Sequence, residues 1–207
     1  MSSEALVYFD QFSKLPPNLV RTAQEVNSFA AHFVKLGDPK SFEWQKFLTE
    51  GINEYNGDDL VMDKFQSNTI NQQDVTVEIM VDKMVAFLKY VLSVVLSEQD
   101  IAALTKHIEA TFTDLKTAKD NGWADFTKSS SSQSSSWEYR LQLAFPNPDL
   151  PDSFYILVTT VKLETDIQSW VPPVTSSTRA NFSATIDAVQ LIVMEGFRDP
   201  RKGAGPA

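Results

Sequence analysis

The chain holds two histidines, His32 and His107, each alone within a stretch of helical periodicity. Neither a His-x-x-x-His nor a Glu-x-x-His spacing occurs, so the convergent ligands of a transition-metal site are not expected. Cysteine is absent, which removes disulfides, a thiolate nucleophile and Cys-type zinc or iron–sulfur centres. With 7 glycines there is no Gly-x-Gly-x-x-Gly, no phosphate-binding loop and no Gly-x-Ser-x-Gly elbow. Asp58-Asp59 could hold a divalent cation but fits a solvated turn better. No catalytic, cofactor-binding or metal residue is therefore assigned, no cofactor is implied, and an enzyme is not expected. Asn181-Phe182-Ser183 matches a glycosylation sequon, but Phe182 falls on the core-like face of a strand pattern, and chance occurrence accounts for the match.

Charge and alternation are the chemistry that remains. Against 18 Lys+Arg stand 27 Asp+Glu, a net charge of −9, which argues against nucleic acid as a partner. Local positive charge gathers at Arg198, Arg201 and Lys202. The plain reading there is a frayed terminus; the sharper one is contact of these residues and Arg179 with anionic lipid or a sulfated glycan. The last third of the chain alternates apolar and polar residues. Alternation is what a half-buried antiparallel sheet needs, and it is also what a lipid-spanning β-strand of about 9–11 residues needs.

These residues require elements to position them. Residues 6–9 are β-prone and stop before Pro16-Pro17. Leu19, Ala23, Val26, Ala30 and Phe33 repeat at helical spacing as far as Gly37. Asp38-Pro39 then opens a second helix with Trp44, Phe47 and Leu48 on one side, to Gly51. This predicts a helical hairpin over about 18–51. Residues 53–74 are polar, with a turn at 56–59 and a short element at 60–65. Val75, Val77 and Ile79 alternate like a strand, yet Glu78, Asp82, Ala86, Lys89 and Ser93 form one narrow polar stripe on a helix that should be largely buried. Ser97 with Asp100 caps the next helix, whose apolar face is Ile101, Leu104, Ile108, Phe112 and Leu115, giving a second hairpin over about 75–117.

After a serine-rich loop at 129–136, long strands are expected over about 136–146, 153–167 and 180–194. Trp137, Tyr139, Leu141, Leu143 and Phe145 alternate with Glu138, Arg140, Gln142 and Ala144 as a half-buried strand. The second strand reads as central at 154–158 and exposed on one side beyond Val161. In the third, apolar residues move from even positions (Phe182, Ala184, Ile186) to odd ones (Val189, Leu191, Val193), which suggests a bulge or bend near Ala188. Four helices before three strands argue for α+β layering.

The block Val75-Thr76-Val77, Lys83, Val85, Leu88-Lys89, Val91-Leu92, Val94, Leu96-Ser97, Ile101 and Leu104-Thr105, continuing through Thr111-Phe112-Thr113, Leu115, Thr117, Lys119-Asp120, Trp123 and Phe126, resembles the Cyt-type cytolytic δ-endotoxins, and particularly their fungal volvatoxin-like haemolysins. Tyr139, Leu141, Phe145 and Asn147 carry a second part of the resemblance, and Ala188, Val189 and Leu191 a weaker one. The resemblance implies one domain over 1–207, a three-layer α-β-α sandwich (α/β; α+β by strand direction) with a helical hairpin on each face of a largely antiparallel sheet. It also implies a pore-forming haemolysin whose soluble monomer binds membrane lipid, lets its helices move away, and inserts its strands as a homo-oligomer. Tyr139, Leu141, Leu143, Phe154, Ile156, Val158, Val161, Leu163, Phe182, Ile186, Val189, Leu191 and Val193 then supply the inserting faces. Met1-Ser2-Ser3-Glu4 has no charged lead or apolar h-region, and residues 84–96 are shorter than the ~20 a spanning helix needs. A soluble cytoplasmic molecule at synthesis, released by another route and acting on a target-cell membrane, is expected. The rivals are a non-lytic lipid- or glycan-binding defence protein and an enzyme with an unfamiliar site.

Overall fold

Proline's fixed φ suits a first helical turn, where its missing N–H has no partner to lose. Accordingly α1 starts at Pro17 and runs Pro17–Ala31. The computed structural model describes residues 9–11, 14–35, 41–94, 96–113, 124–127, 135–166 and 174–202. Its strands are β1 (Phe9–Gln11), β2 (Val34–Lys35), β3 (Ser41–Phe42), β4 (Leu60–Thr76), β5 (Ala124–Thr127), β6 (Ser135–Pro146), β7 (Ser153–Thr165) and β8 (Arg179–Met194). The further helices are α2 (Trp44–Lys46), α3 (Val77–Val91) and α4 (Glu98–Thr113). A six-stranded sheet has the order β1-β6-β7-β8-β4, and β5 also pairs with β6, antiparallel, from Ala124↔Tyr139 to Thr127↔Ser136. β2 and β3 form a separate antiparallel ribbon. The mixed helix-and-sheet class expected from the sequence is the one observed.

Two compact units can be told apart. One comprises residues 10–65, 141–158 and 189–207. Here α1 buries Leu19, Thr22, Ala23, Glu25, Val26, Phe29 and Ala30, a helical stripe whose apolar members share a core with Phe47, Ile52, Leu60, Ala144, Phe154, Ile156, Val158, Val189, Leu191, Val193 and Phe197. Phe29 meets Phe33 edge to face at 5.5 Å and Phe197 at 5.8 Å, and Phe33 meets Phe47 at 5.3 Å. The helix ends at Ala31 rather than at Gly37, because Val34 pairs with Phe42 and the Phe33 carbonyl accepts from the Glu43 amide. Gly37, Asp38 and Pro39 lie outside the described residues, and the second helix begins at Trp44. From Phe47 to Asn53 it continues as wider π-helical turns. Gly51 is required there: a Cβ would stand 2.8 Å from Phe33 Cζ.

The other unit comprises residues 1–9, 66–140 and 159–188. The strand-like alternation at 75–79 ends at Thr76, whose Oγ1 accepts from the Ile79 amide and starts α3 as a helix. α3 buries Val77, Met80, Val81, Met84, Val85, Leu88 and Val91. Its exposed side is wider than the predicted stripe, since Ile79 is 41% and Tyr90 64% exposed, and it ends at Val91. Ser97 and Asp100 cap α4 reciprocally: the Ser97 amide donates to Asp100 Oδ2 and the Asp100 amide to Ser97 Oγ. Phe112 of α4 meets Phe182 of β8 at 5.6 Å.

β4 corrects the expectation of a short element at 60–65. It is 17 residues long, and its polar sequence hides it from a reading by hydrophobic period. Pairing supplies what propensity lacks: Thr69 Oγ1 lies 3.2 Å from Thr185 Oγ1, the Asp74 amide donates to Asn181 Oδ1, and Gln190 Nε2 donates to Asp63 Oδ2. Of the predicted serine-rich loop, residues 129–134 lie outside the described residues, and Ser135 and Ser136 already belong to β6.

Candidate functional site

The strand residues expected to meet lipid are all buried. In the unit holding α3 and α4 these are Tyr139, Val161, Leu163, Phe182 and Ile186; in the unit holding α1 they are Leu141, Leu143, Phe154, Ile156, Val158, Val189, Leu191 and Val193. Burial pushes the Tyr139 phenol well above its ordinary value, against the opposing effect of Thr111 beside it. No ready-made lipid face is therefore presented by these residues.

Successive side chains on a strand point to opposite faces. Tyr139, Leu141 and Leu143 thus share one face of β6. The other two strands divide their sets: Phe154, Ile156 and Val158 are even and Val161 and Leu163 odd, while Phe182 and Ile186 are even and Val189, Leu191 and Val193 odd. β8 is nonetheless unbroken from Arg179 to Met194, and residues 188–191 are all buried. The change of parity expected near Ala188 falls where burial passes from the even to the odd residues.

β6 departs from the half-buried strand that alternation predicted. Residues 139–144 are buried without interruption, Gln142 completely and Arg140 to 8% exposure. Neither Nε2 nor Oε1 of Gln142 has a hydrogen-bond partner among the described residues. A strand covered on both faces ordinarily reads as a continuous apolar run. Here the polar set Arg140 and Gln142 is interleaved with the apolar set Tyr139, Leu141 and Leu143. The turn after β6 is tied rather than loose. Asn147 donates through Nδ2 to Ser153 Oγ and accepts through Oδ1 from the Asp149 amide, and the Glu195 amide donates to the Asp152 carbonyl.

The four cations proposed as surface contacts all have internal partners. Arg179 Nε lies 3.1 Å from Asp74 Oδ1 and its Nη2 donates to the Asp74 carbonyl; the bond from Arg179 holds the Asp74 carboxyl below its usual range. Arg198 Nη1 donates to Thr22 Oγ1 and to the Glu195 and Phe197 carbonyls. The Arg201 guanidinium sits 4.5 Å above the Phe33 ring, and Lys202 Nζ donates to Glu25 Oε1 at 2.9 Å. Between them lies Asp199, whose carboxylate accepts from Ser28 Oγ, His32 Nε2 and the Arg201 amide, and whose own amide donates to Glu25 Oε2. The preferred reading of a frayed end is thereby overturned for residues 198–202: they are clamped onto α1. Sequence gave no hint of the clamp, because Asp199 meets residues 167 and 171 positions earlier.

Among the described residues no group of three or more His, Cys, Asp or Glu is gathered as metal ligands, and no helix is long and apolar enough to cross a membrane.

Comparison with known proteins gives a family and a fold. The family model described as Bacillus thuringiensis toxin matches residues 13–195. The type-1Ba cytolytic delta-endotoxin of Bacillus thuringiensis subsp. neoleoensis is 31% identical over 133 residues, which cover 61% of this chain and 48% of that protein, so the match spans about half of the relative's length. The activated Cyt2Ba monomer from Bacillus thuringiensis subsp. israelensis superposes with a TM-score of 0.79 at 17% identity, over 90% of this chain and 97% of that one. A further delta-endotoxin gives 0.78 at 19% identity, over 94% and 86%. At such identities the two structures establish a shared fold.

Proposed function

We propose that this chain, which belongs to the Bacillus thuringiensis toxin family, is a pore-forming cytolysin. Its soluble form binds membrane lipid directly, the helices part from the sheet, and the long strands insert and assemble with other copies. It performs no catalytic step. The observation that carries the reading is the stretch 139–144 of β6, which is buried throughout yet alternates polar with apolar residues, leaving Gln142 enclosed without a partner among the described residues. Such a pattern is unfavourable in a packed core and fits a second environment, with Tyr139, Leu141 and Leu143 in lipid and Arg140 and Gln142 in water.

Length supports the same reading. β6, β7 and β8 have 12, 13 and 16 residues, against the roughly 9–11 that a tilted spanning strand needs. The apolar residues buried now would lose water again in a bilayer, so hydrophobic burial is exchanged rather than forfeited. The even set on β7, Phe154, Ile156 and Val158, belongs to the core beneath α1. Release of α1 is therefore the step that frees it. Contact with anionic headgroups or sulfated glycan through Arg179, Arg198, Arg201 and Lys202 requires those cations to exchange their present partners. The reading takes residues 1–207 as one folding domain, because β4, β6, β7 and β8 each contribute residues to both units.

The test is release of calcein from zwitterionic, anionic and sterol-containing liposomes, followed by gels for detergent-resistant oligomers. Release with oligomers is expected; silence on every composition favours the non-lytic binder. Ser28 Oγ donates to Asp199 Oδ2 at 2.9 Å, so two side chains already meet there and Ser28→Cys with Asp199→Cys pins α1 to the residues after β8. The oxidised pair should be silent and the reduced pair active. Lysis by the oxidised protein would remove the departure of α1 from the mechanism.

A further inference from the structure

Among the described residues the sheet ends on β4, which has β8 as its one neighbour in the strand order. Among the described residues no strand receives the N–H and C=O groups on the other side of this strand. Sheet edges in soluble proteins are ordinarily blunted by charge, proline, a bulge or shortness. Residues 66–73, Gln-Ser-Asn-Thr-Ile-Asn-Gln-Gln, contain no charged residue, no proline and no glycine. Ser67, Asn68, Thr69, Asn71 and Gln73 are exposed. The tract is closed by Asp74, where φ turns positive at 48°.

We propose that the outer edge of β4 over residues 66–73 is a self-association edge, at which a second copy of this chain adds its own β4 antiparallel about a two-fold axis. Length selects the partner. The other strands at the margin of the sheet, β1 and β5, have 3 and 4 residues against 17 in β4, so among the described residues only another β4 matches this edge along its length. Charge selects the place. On a chain of net charge −9, an uncharged tract is where two copies approach with least repulsion. Antiparallel pairing about a two-fold axis is the arrangement that closes after two copies. The Ser, Thr, Asn and Gln side chains can also hydrogen-bond across such a pair.

One added strand of this length falls short of the roughly 1,200–2,000 Å² of a stable interface, so the contact is weak in dilute solution. Confinement on a membrane raises the effective concentration, and there the edge serves assembly. In that role the inference rests on the oligomerising reading above.

The cysteine-free chain permits a clean test. Each of residues 66–73 is replaced singly by cysteine, oxidised in concentrated solution and on vesicles of phosphatidylcholine with phosphatidylglycerol, and run on a non-reducing gel beside a calcein assay. Dimer yield should peak near the middle of the tract and fall towards both ends, since an antiparallel pair brings a residue to its own copy only near the axis. Equal yield along the strand overturns the two-fold arrangement. Absence of dimer at every position on vesicles that do leak overturns the edge and leaves the lytic reading standing. Dimer without leakage does the reverse. In the best cysteine background, Ser67→Lys with Asn71→Lys should leave thermal unfolding within a few degrees and lower the yield at least tenfold; unchanged yield overturns the proposal.

Discussion

Replacement of Gln142 by methionine should stabilise the soluble protein and slow its conversion on membranes. The side chain is fully buried, and its amide has no hydrogen-bond partner among the described residues. An enclosed, unsatisfied polar group costs about 1–3 kcal/mol, and methionine matches glutamine in length while offering no polar group to satisfy. For a chain of this size each kcal/mol moves Tm by about 2–4 °C, so a rise of about 2–12 °C is expected. If the transition state for insertion has already exposed this position to water, the same stabilisation of the starting state slows calcein release about 5- to 150-fold. Gln142→Glu supplies the control, because a buried carboxylate destabilises the soluble form. Differential scanning calorimetry and stopped-flow release measure the two effects on one preparation. A lower Tm for Gln142→Met would refute the reasoning, since it would mean that the amide is satisfied and that β6 holds no conflict for a membrane to relieve.

Glu25 carries an acid-side prediction. The bond from Lys202 holds its carboxyl below the ordinary 4.5. A depressed folded-state value means stabilisation that is complete above about 4.5 and disappears as pH falls through the lower folded value. Glu25→Gln should therefore be less stable than wild type at pH 7, with the two Tm curves converging towards pH 3; a constant gap would remove the ion-pair account. Tyr55 carries the alkaline counterpart. Burial, and then its bond to Asp59, pushes the phenol up to about 12, so its stabilisation is complete below pH 10 and is lost as pH rises towards 12. Tyr55→Phe should flatten thermal stability over that window, and an unchanged slope would assign the alkaline loss elsewhere. Gly51→Ala should cost about 1–3 kcal/mol in urea unfolding, because its Cβ meets Phe33 at 2.8 Å. A neutral result would show that the Phe33 ring yields freely.

What could be read from the sequence was what local periodicity encodes. α1, α3 and α4 lie close to where three- and four-residue spacing placed them, and the Ser97/Asp100 cap is present as read. β7 is buried on both faces at 154–158, and beyond Val161 only Lys162 and Glu164 are exposed, as its sequence suggested. The failures share a cause. β4 exists because β8 pairs with it, Asp199 is buried because α1 lies 167 and more residues upstream, and Gln142 is covered by elements its own neighbours do not announce. Residues alternating as in β6 look alike whether one face meets water or both are enclosed. Only the packed structure separates the two cases.

That ambiguity bears on which strands can span a membrane as they stand. An apolar band about 25 Å tall requires residues of a single parity over most of a strand. β6 meets this requirement, because the odd residues from Trp137 to Phe145 are all apolar or aromatic, and 9 residues at about 3.3 Å each reach roughly 30 Å. β7 and β8 do not. Their apolar residues change parity after Val158 and after Ala188, and a regular strand cannot turn both halves towards lipid. A one-residue bulge reverses parity, so insertion of the full length of β7 or β8 requires a bulge at these two points. Without it each strand contributes only one half to a lipid face. The proposed insertion therefore treats the strands differently: β6 can enter with the alternation it already has, while β7 and β8 must each accommodate a change of parity.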